Sequence, residues 1–275
     1  MEYKSVMVGL ALDRRNDACL RVAGDIAERF GARIIGVAAS EVRPPMYFAT
    51  GDFAQKLLDE EAGAIQRRLS ELEAEFRSAV EKRATSVEWR SARGLPLPYM
   101  LRQVRSADII VVGARTEAII DPNAAPDPSD LVMQAGRPLI VVPSAVEWLD
   151  LRSVLVAWKD VREARRAVFD ALPILAAAKE VTIAEIPEAD TRHADAVSRV
   201  ADVAAWLHGH GIAAHTIVPE NPAGLSDQLD KIATNLGAGA VIAGAYGHSR
   251  FREWVLSGVT RHLATESRRC AFLSR

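Results

Sequence analysis

The stretch Gly244–Thr260, GAYGHSRFREWVLSGVT, places small and basic residues where a chain can bind an anion. Two glycines three residues apart follow the apolar run AVIAG, and a third, Gly258, comes after a basic segment. Glycine leaves backbone N–H groups uncovered, and free N–H groups at the start of a helix attract phosphate. Further donors follow the second glycine, namely His248, Ser249 and Arg250. The stretch therefore indicates a phosphate site, although glycine turns between a strand and a helix also occur without a ligand.

The rest of the chain shows which elements position this stretch. Short runs rich in β-branched residues alternate with segments whose apolar residues recur at helical spacing. The first half has the predicted strands SVMVGL, ARIIGVAA, SVEWR, DIIVVG and PLIVVP, and predicted helices over 16–30, 52–82 and 96–105. The second half has the predicted strands SVLVAW, EVTIAEI, AAHTIV, AVIAG and CAFLS, and predicted helices over 161–177, 193–208, 225–236 and 252–267. This alternation predicts an α/β fold with parallel sheets covered by helices on both faces.

The two halves repeat one pattern. The segment SADIIVVGA of the first half aligns with GAGAVIAGA of the second, so Gly113 corresponds to Gly244. Likewise the strand residues 6–8 align with 154–156. The sequence therefore predicts two tandem, doubly wound, Rossmann-like domains over 1–147 and 148–275. In such sheets a ligand binds beyond the carboxyl ends of the strands, where the strand order switches direction.

Composition limits the partners of this chain. It has 275 residues, a formal net charge of -2, 49% hydrophobic residues and 25% charged residues. This balance is typical of a globular protein and argues against a broad electrostatic surface for nucleic acid or anionic lipid. The cysteines, Cys19 and Cys270, show no paired spacing, and no apolar run approaches the ~18 residues of a membrane span. Without a signal-peptide layout, we expect a cytoplasmic protein with buried, unreactive thiols.

The Gly244–Thr260 stretch resembles the nucleotide-binding signature of the universal stress protein (UspA) family, in which G-x2-G is followed after nine residues by Gly and then Ser or Thr. Both halves are also similar to that family in the order of their strands and helices, and SVLVAWKDVREARRAV resembles the opening of tandem bacterial members. The resemblance implies an adenine nucleotide alpha hydrolase-like fold and pairing of the halves through their fifth strands, PLIVVP and CAFLS. It also implies ATP in the second half and leaves open whether Mg²⁺ accompanies it.

The resemblance implies which residues form the ATP site, and the spacing of the glycine stretch adds the phosphate donors His248, Ser249 and Thr260 to them. They are Ala157, Trp158 and Lys159 after the first strand of the second half, Gly244, Tyr246, Gly247, His248 and Ser249 in the glycine turn, and Ser257, Gly258, Val259 and Thr260 further along. Ser257 departs from the family pattern, which has Gly there. Lys159 replaces an Asp of the family and could meet a phosphate or pair with Asp160. Trp158 could stack on a base or pack in the core.

The first half has lost this signature. After Gly113 it reads ARTEAIIDPNAAPDPSDLVMQAGRP, with Thr116 where the second glycine belongs. The later part carries Pro122, Pro126, Pro128, Asp121, Asp127 and Asp130. Proline removes N–H donors and aspartate repels phosphate. We therefore expect the first half to bind no ATP in the family manner and to act as a structural partner of the second.

Three functions are compatible with these residues. The first is a nucleotide-binding stress or regulatory module, in which ATP changes a surface that an unidentified protein partner recognises. The second is a binding protein for another small, apolar ligand, held between the first half and the loop VRPPMYFATGDF. The third is an enzyme such as a slow ATPase or a nucleotidyl-transfer protein, although the sequence indicates no catalytic residue and no metal-ligand cluster. A homo-oligomer is open in each case.

Overall fold

The computed structural model describes residues 2–42, 52–114, 121–188, 191–220, 224–245, 263 and 268–275. The first half contains β1 (Ser5–Gly9), α1 (Asp17–Phe30), β2 (Arg33–Ser40), α2 (Asp52–Val80), β3 (Val87–Arg93), α3 (Pro96–Gln103), β4 (Ile109–Gly113), α4 (Pro128–Ala135) and β5 (Leu139–Val142). The second half contains β6 (Ser153–Trp158), α5 (Arg162–Asp170), α6 (Leu172–Ala177), β7 (Glu180–Glu185), α7 (His193–Gly209), β8 (His215–Ile217), α8 (Leu225–Asn235), β9 (Ala240–Gly244) and β10 (Cys270–Ser274).

The described strands form one ten-stranded sheet in the order β3-β2-β1-β4-β5-β10-β9-β6-β7-β8. Neighbouring strands are parallel except β5 and β10, which pair antiparallel with Ile140 opposite Phe272. The predicted α/β fold and the predicted pairing of the fifth strands are therefore confirmed. The antiparallel pair of β5 and β10 forms a seam in the sheet, with β1–β5 on one side and β6–β10 on the other. The division into domains at residue 147 stays a prediction.

Helices cover both faces of the sheet. Residues of α1, α2, α5, α6 and α7 form the core on one face, and residues of α3, α4 and α8 form the core on the other. The inner strands β1, β4, β5 and β9 are almost fully buried, as their continuous apolar runs predict for parallel strands covered on both sides, whereas the edge strands β3 and β8 are partly exposed. Burial of one Val, Leu, Ile or Phe side chain stabilises a fold by about 1.5–3 kcal/mol. The many buried strand residues therefore hold the ends of the strands in fixed positions.

The helix predicted over 161–177 is broken in the structure. It divides into α5 and α6 at Ala171, and Pro173 lies in the first turn of α6. Proline has no N–H to continue the helical hydrogen bonds of the preceding turn and its ring crowds that turn. Proline is tolerated at the start of a new helix, which is where the chain places it.

The short helix α4 is absent from the sequence-based prediction. Asp127 caps it by accepting the N–H of Ser129 at 2.8 Å, Pro128 begins it, and Gly136 ends it with a left-handed φ of 59°. Aspartates and prolines that the sequence analysis treats as obstacles to phosphate thus also begin a helix. The helix predicted over 252–267 lies outside the described residues except for Leu263, which is helical and buried.

Candidate functional site

A cavity of about 310 Å³ opens at the carboxyl ends of β6, β7 and β9. Strand β6 lies between β9 and β7, and the chain leaves β6 toward β7 on one side while β9 lies on the other. The cavity thus lies where the strand order switches direction, which is where doubly wound sheets bind ligands. Its size falls in the range of about 300–1,000 Å³ found for small-molecule sites.

Small side chains leave this space open. Ala157 of β6 lies in register with Ala184 of β7 on one side and Ala243 of β9 on the other. All three alanines line the cavity, and we call them the alanine row. Leu225 and Leu229 of α8 also line the cavity, and Leu225 is 46% exposed. The alanine row and these two leucines form an apolar slot suited to a flat ring.

The equivalent place in the first half is filled. Gly9 corresponds to Ala157, and it lies in register with Val37 and beside Val112. A Cβ added to Gly9 would be 2.5 Å from Cε of Met100 and 3.0 Å from Cγ1 of Val112. The cavity that remains at this edge measures about 30 Å³. Two valines and a methionine therefore occupy the space that the alanine row leaves open in the second half.

The chain itself covers the same edge of the first half. Ala124 accepts the N–H of Leu12 at 3.2 Å, and Asn123 accepts the N–H of Glu41 at 3.3 Å. Pro126 and Pro128 line the remaining small cavity. These contacts give a physical reason to expect no nucleotide in the first half, which stays a prediction.

Four of the predicted site residues lie together at the cavity: Ala157, Trp158, Lys159 and Gly244. Trp158 is 8% exposed and belongs to the core cluster on the face of the sheet that α5 and α7 help to cover, which favours the core interpretation of this residue over an exposed stacking platform. Its indole Nε1 has no hydrogen-bond partner among the described residues. The other eight predicted residues lie outside the described part of the chain: Tyr246, Gly247, His248, Ser249, Ser257, Gly258, Val259 and Thr260.

Gly244 has a packing role that the sequence analysis did not predict. A Cβ at this position would be 2.5 Å from the backbone N of Ala164 and 2.6 Å from the carbonyl carbon of Glu163. The first turn of α5 therefore approaches the end of β9 as closely as backbone atoms allow. Because Gly244 has no Cβ, the backbone of α5 can lie against it, and the same glycine also lines the cavity.

Three ion pairs surround the cavity. Glu185 accepts from Nε of Arg199 at 3.0 Å, and its side chain is only 7% exposed. This hydrogen bond raises the pKa of the Arg199 guanidinium. Lys159 pairs with Glu188, and the neighbouring Asp160 accepts from Arg165 at 2.6 Å. The alternative in which Lys159 pairs with Asp160 is therefore not the one that the structure shows.

These pairs differ in how easily they can be broken. Removal of one partner from a buried pair costs about 3–5 kcal/mol, because a charge is left without compensation. Exposed pairs contribute about 0.2–1 kcal/mol. Arg199 is therefore committed to the buried Glu185, whereas the Lys159–Glu188 contact, between side chains that are 47% and 61% exposed, contributes little by itself.

Sequence reasoning missed Glu185, Arg199 and Glu188. A signal for Glu185 existed, because a carboxylate at the end of the apolar run EVTIAEI must lie at the carboxyl edge of the sheet. Arg199 lies 14 residues further on α7 and gives no comparable signal. The carboxylates that line the described cavity wall, Asp160, Glu185 and Glu188, are each paired with a basic side chain, so this wall does not fit a dedicated Mg²⁺ site. The described residues contain no group of three or more potential metal ligands.

Solved structures with the same architecture include universal stress proteins. A universal stress protein from Archaeoglobus fulgidus DSM 4304 superposes with a TM-score of 0.73 and 14% identity over 98% of each chain. A functionally unknown protein from Pseudomonas aeruginosa PAO1 gives a TM-score of 0.59 and 16% identity, over 99% of this chain and 92% of its own. A candidate universal stress protein from Pseudomonas aeruginosa UCBPP-PA14 gives 0.58 and 15%, over 99% and 93%.

These similarities show that the chain has the Rossmann-like fold of the universal stress proteins over its whole length. No protein-family model matches the sequence, and no curated protein matches it. Of the described helices, none is long and apolar enough to cross a membrane.

Proposed function

We propose that this chain is a tandem member of the universal stress protein family that binds one adenine nucleotide, in its second half, as a regulatory module. ATP is the nucleotide that the signature in Gly244–Thr260 favours. The observation that carries the proposal is the apolar slot at the switch point of the second half, bounded by the alanine row and by Leu225 and Leu229 of α8.

The shape and chemistry of the slot support a base as its occupant. Ala184 and Ala243 are nearly buried, at 2% and 4% exposure, and Ala157 between them is partly exposed, so the alanine row adds only small apolar side chains to the floor of the slot. Leu225 keeps 46% of its surface exposed at the opposite wall, and a planar ring between them would remove this apolar surface from water. The phosphates would lie toward Gly244, where the chain enters the glycine turn that carries Gly247 and His248.

The difference between the halves supports a stoichiometry of one nucleotide per chain. The second half leaves about 310 Å³ at its switch point, and the first half leaves about 30 Å³. Val37, Val112 and Met100 account for this difference, because they fill the volume that alanines leave open.

Calorimetric titration of ATP into a variant of the alanine row tests the proposal. The double substitution Ala184→Val and Ala243→Val copies the valines of the first half into the second. Because the added methyl groups enter an open cavity, we expect the fold to persist and ATP affinity to fall at least about tenfold, or ~1.4 kcal/mol. Gly247→Val provides an independent variant in the predicted phosphate turn.

Ala213→Val serves as the matched control, since Ala213 is exposed just before β8 and does not line the cavity. It adds two methyl groups, as each substitution of the alanine-row variant does, and leaves ATP affinity unchanged. Equal ATP affinity in the wild type and in the alanine-row variant would refute the nucleotide site. In that case, mass spectrometry of ligands released from the denatured protein tests the alternative, an apolar metabolite held between the first half and the loop VRPPMYFATGDF.

A further inference from the structure

The strands at the two edges of the described sheet differ in length. β8 has three residues, and a very short edge strand is one way in which proteins limit pairing with other chains. β3 has seven residues, and all of them lie in register with β2. β3 contains neither proline nor glycine, and each of its residues is at least partly exposed. β3 therefore offers a backbone edge that is long enough to bind a further strand.

The hydrogen bonds between β2 and β3 show which backbone groups of β3 point away from the sheet. Ser86 accepts the N–H of Ile34 at 2.9 Å, and Gly94 donates its N–H to Ser40 at 2.9 Å. Because the backbone groups of successive residues point to opposite sides of a strand, the even-numbered residues of β3 face β2. The outward N–H and C=O groups therefore belong to the odd-numbered residues: Val87, Trp89, Ser91 and Arg93.

Glu88 and Arg90 form an ion pair on one face of this edge strand. Glu88 accepts from Nε of Arg90 at 2.8 Å, and Nη1 of Arg33 lies 3.9 Å from the same carboxylate. Arg90 also donates to Oε1 of Gln103 at 3.1 Å and to Oγ of Ser106 at 3.3 Å. The side chains of Glu88 and Arg90 nevertheless stay 45% and 21% exposed. Both charges are therefore held in place at the edge and still have surface for a further charged neighbour.

We propose that β3 is the interface for a second copy of this chain, which pairs with it antiparallel about a two-fold axis at Trp89. In this register Glu88 of each chain lies opposite Arg90 of the other, and the four charges alternate in sign. An axis at Glu88 or at Arg90 would place like charges directly opposite each other, which destabilises strand pairing. An axis at Ser91 would leave both charges opposite uncharged residues. Charge complementarity therefore selects the register centred on Trp89.

The backbone and the indole of Trp89 support the same register. The outward groups of Val87, Trp89 and Ser91 meet those of Ser91, Trp89 and Val87 in the second copy, which satisfies the backbone of both edges. The ring of Trp89 lies 5.6 Å from that of Phe76 between ring centres, yet part of its surface is exposed. The two indoles lie side by side at the axis, so pairing removes this apolar surface from water. The existing charge contacts are kept, because the second copy approaches from outside them.

Sedimentation velocity over a wide range of protein concentration tests this interface. The samples are the wild type, Glu88→Arg, Arg90→Glu and an equimolar mixture of these two variants. We expect the wild type to form a dimer as its concentration rises. Each variant alone dimerises at least about tenfold more weakly, because both opposed pairs then carry like charges. The mixture associates again, since a chain with two arginines at these positions faces a chain with two glutamates.

Two further variants separate this pairing from general effects of charge and of folding. Asp195→Arg is the matched control, because Asp195 is 43% exposed, pairs with Arg192 and lies on α7 in the other half. It reverses the charge in the same way and leaves the dimer unchanged. Ser91→Pro removes an outward N–H and no hydrogen bond to β2, so the chain stays folded by circular dichroism and its dimer weakens.

Three outcomes would overturn this inference. The first is a wild type that stays monomeric at the highest concentration. The second is a mixture that associates no more strongly than Glu88→Arg or Arg90→Glu alone, since the two charges would then act only within one chain. The third is a dimer that none of the β3 variants weakens, which would place the interface elsewhere. The proposed nucleotide site is tested separately by ATP titration and stands or falls independently of these results.

Discussion

The side chain of Met100 lies directly against Gly9 at the end of β1, so closely that a Cβ on that glycine would be 2.5 Å from the methionine Cε. Met100 comes from α3, on the face of the sheet that α8 covers in the second half. The equivalent strand position in the second half is Ala157, and it borders an open cavity. One methionine thus accounts for much of the difference in open volume between the described parts of the two halves.

Truncation of this methionine tests its role as a filler. We expect Met100→Ala to reduce the free energy of unfolding by about 2–5 kcal/mol, because it removes a buried side chain and leaves a cavity. Denaturant titration measures this loss. The variant gains no second ATP site, since the segment around Ala124 and Pro126 still covers the edge. A calorimetric stoichiometry of two nucleotides per chain would contradict this explanation.

The glycines that end β4 and β9 respond differently to alanine. A Cβ at Gly244 would collide with the backbone of Ala164 at 2.5 Å, whereas a Cβ at Gly113 would lie 3.5 Å from Sγ of Cys19, an ordinary contact. We expect Gly244→Ala to cost about 1–3 kcal/mol, as overpacking usually does, and Gly113→Ala to cost less than about 1 kcal/mol. Chemical denaturation measures the free energy of unfolding of both variants. Equal losses of this free energy would show that the close approach of α5 to Gly244 is not required.

Much of the fold was predictable because parallel strands have a simple sequence signature. SVMVGL and SVLVAW are continuous apolar runs, and the structure buries both as first strands of their halves. The pairing of the fifth strands came from resemblance, and the register of Ile140 with Phe272 confirms it. Boundaries were less predictable where a single residue decides them, as Pro173 does between α5 and α6.

The site was predictable only in part. The glycine signature pointed to the edge of the sheet where the larger cavity opens, and Ala157, Trp158, Lys159 and Gly244 line that cavity. The apolar slot was not foreseen, because it depends on the register that brings Ala184 and Ala243 beside Ala157 across three strands. Register between strands far apart in sequence arises from packing of the whole sheet, so no local pattern reveals it.

Asp25 of α1 binds the segment between β5 and β6 that connects the two halves. Its Oδ2 accepts the N–H of the buried Leu149 at 2.7 Å, and its Oδ1 lies 2.6 Å from Nη2 of Arg83. We expect Asp25→Ala to lower the free energy of unfolding by about 1–3 kcal/mol, because it leaves a buried N–H without an acceptor. Glu28→Gln is the control, since Glu28 pairs with the same arginine at the exposed surface and contributes less than about 1 kcal/mol. Urea titration compares the two, and a similar effect of both would mean that Leu149 does not depend on Asp25.

The thiols of Cys19 and Cys270 should be inert in the native protein. Burial raises the pKa of each to about 12, so very little thiolate exists at pH 8. An aromatic disulfide reagent at pH 8 should therefore react with neither thiol before guanidinium is added and with both afterwards. Because the unfolded thiols lose their protons at lower pH than the folded ones, the free energy of unfolding declines as the pH rises above about 9. Rapid reaction of either thiol in the native state would contradict their burial.

Because β5 and β10 pair antiparallel, the two halves present the carboxyl ends of their strands at opposite edges of the sheet. Since every other neighbouring pair is parallel, the strands of the two halves run in opposite directions and end at opposite edges of the common sheet. The sealed end of the first half and the open end of the second therefore point away from each other. A protein that docks at the cavity of the second half would meet the amino ends of β1–β5 beside it, never their carboxyl ends, which the segment around Ala124 covers.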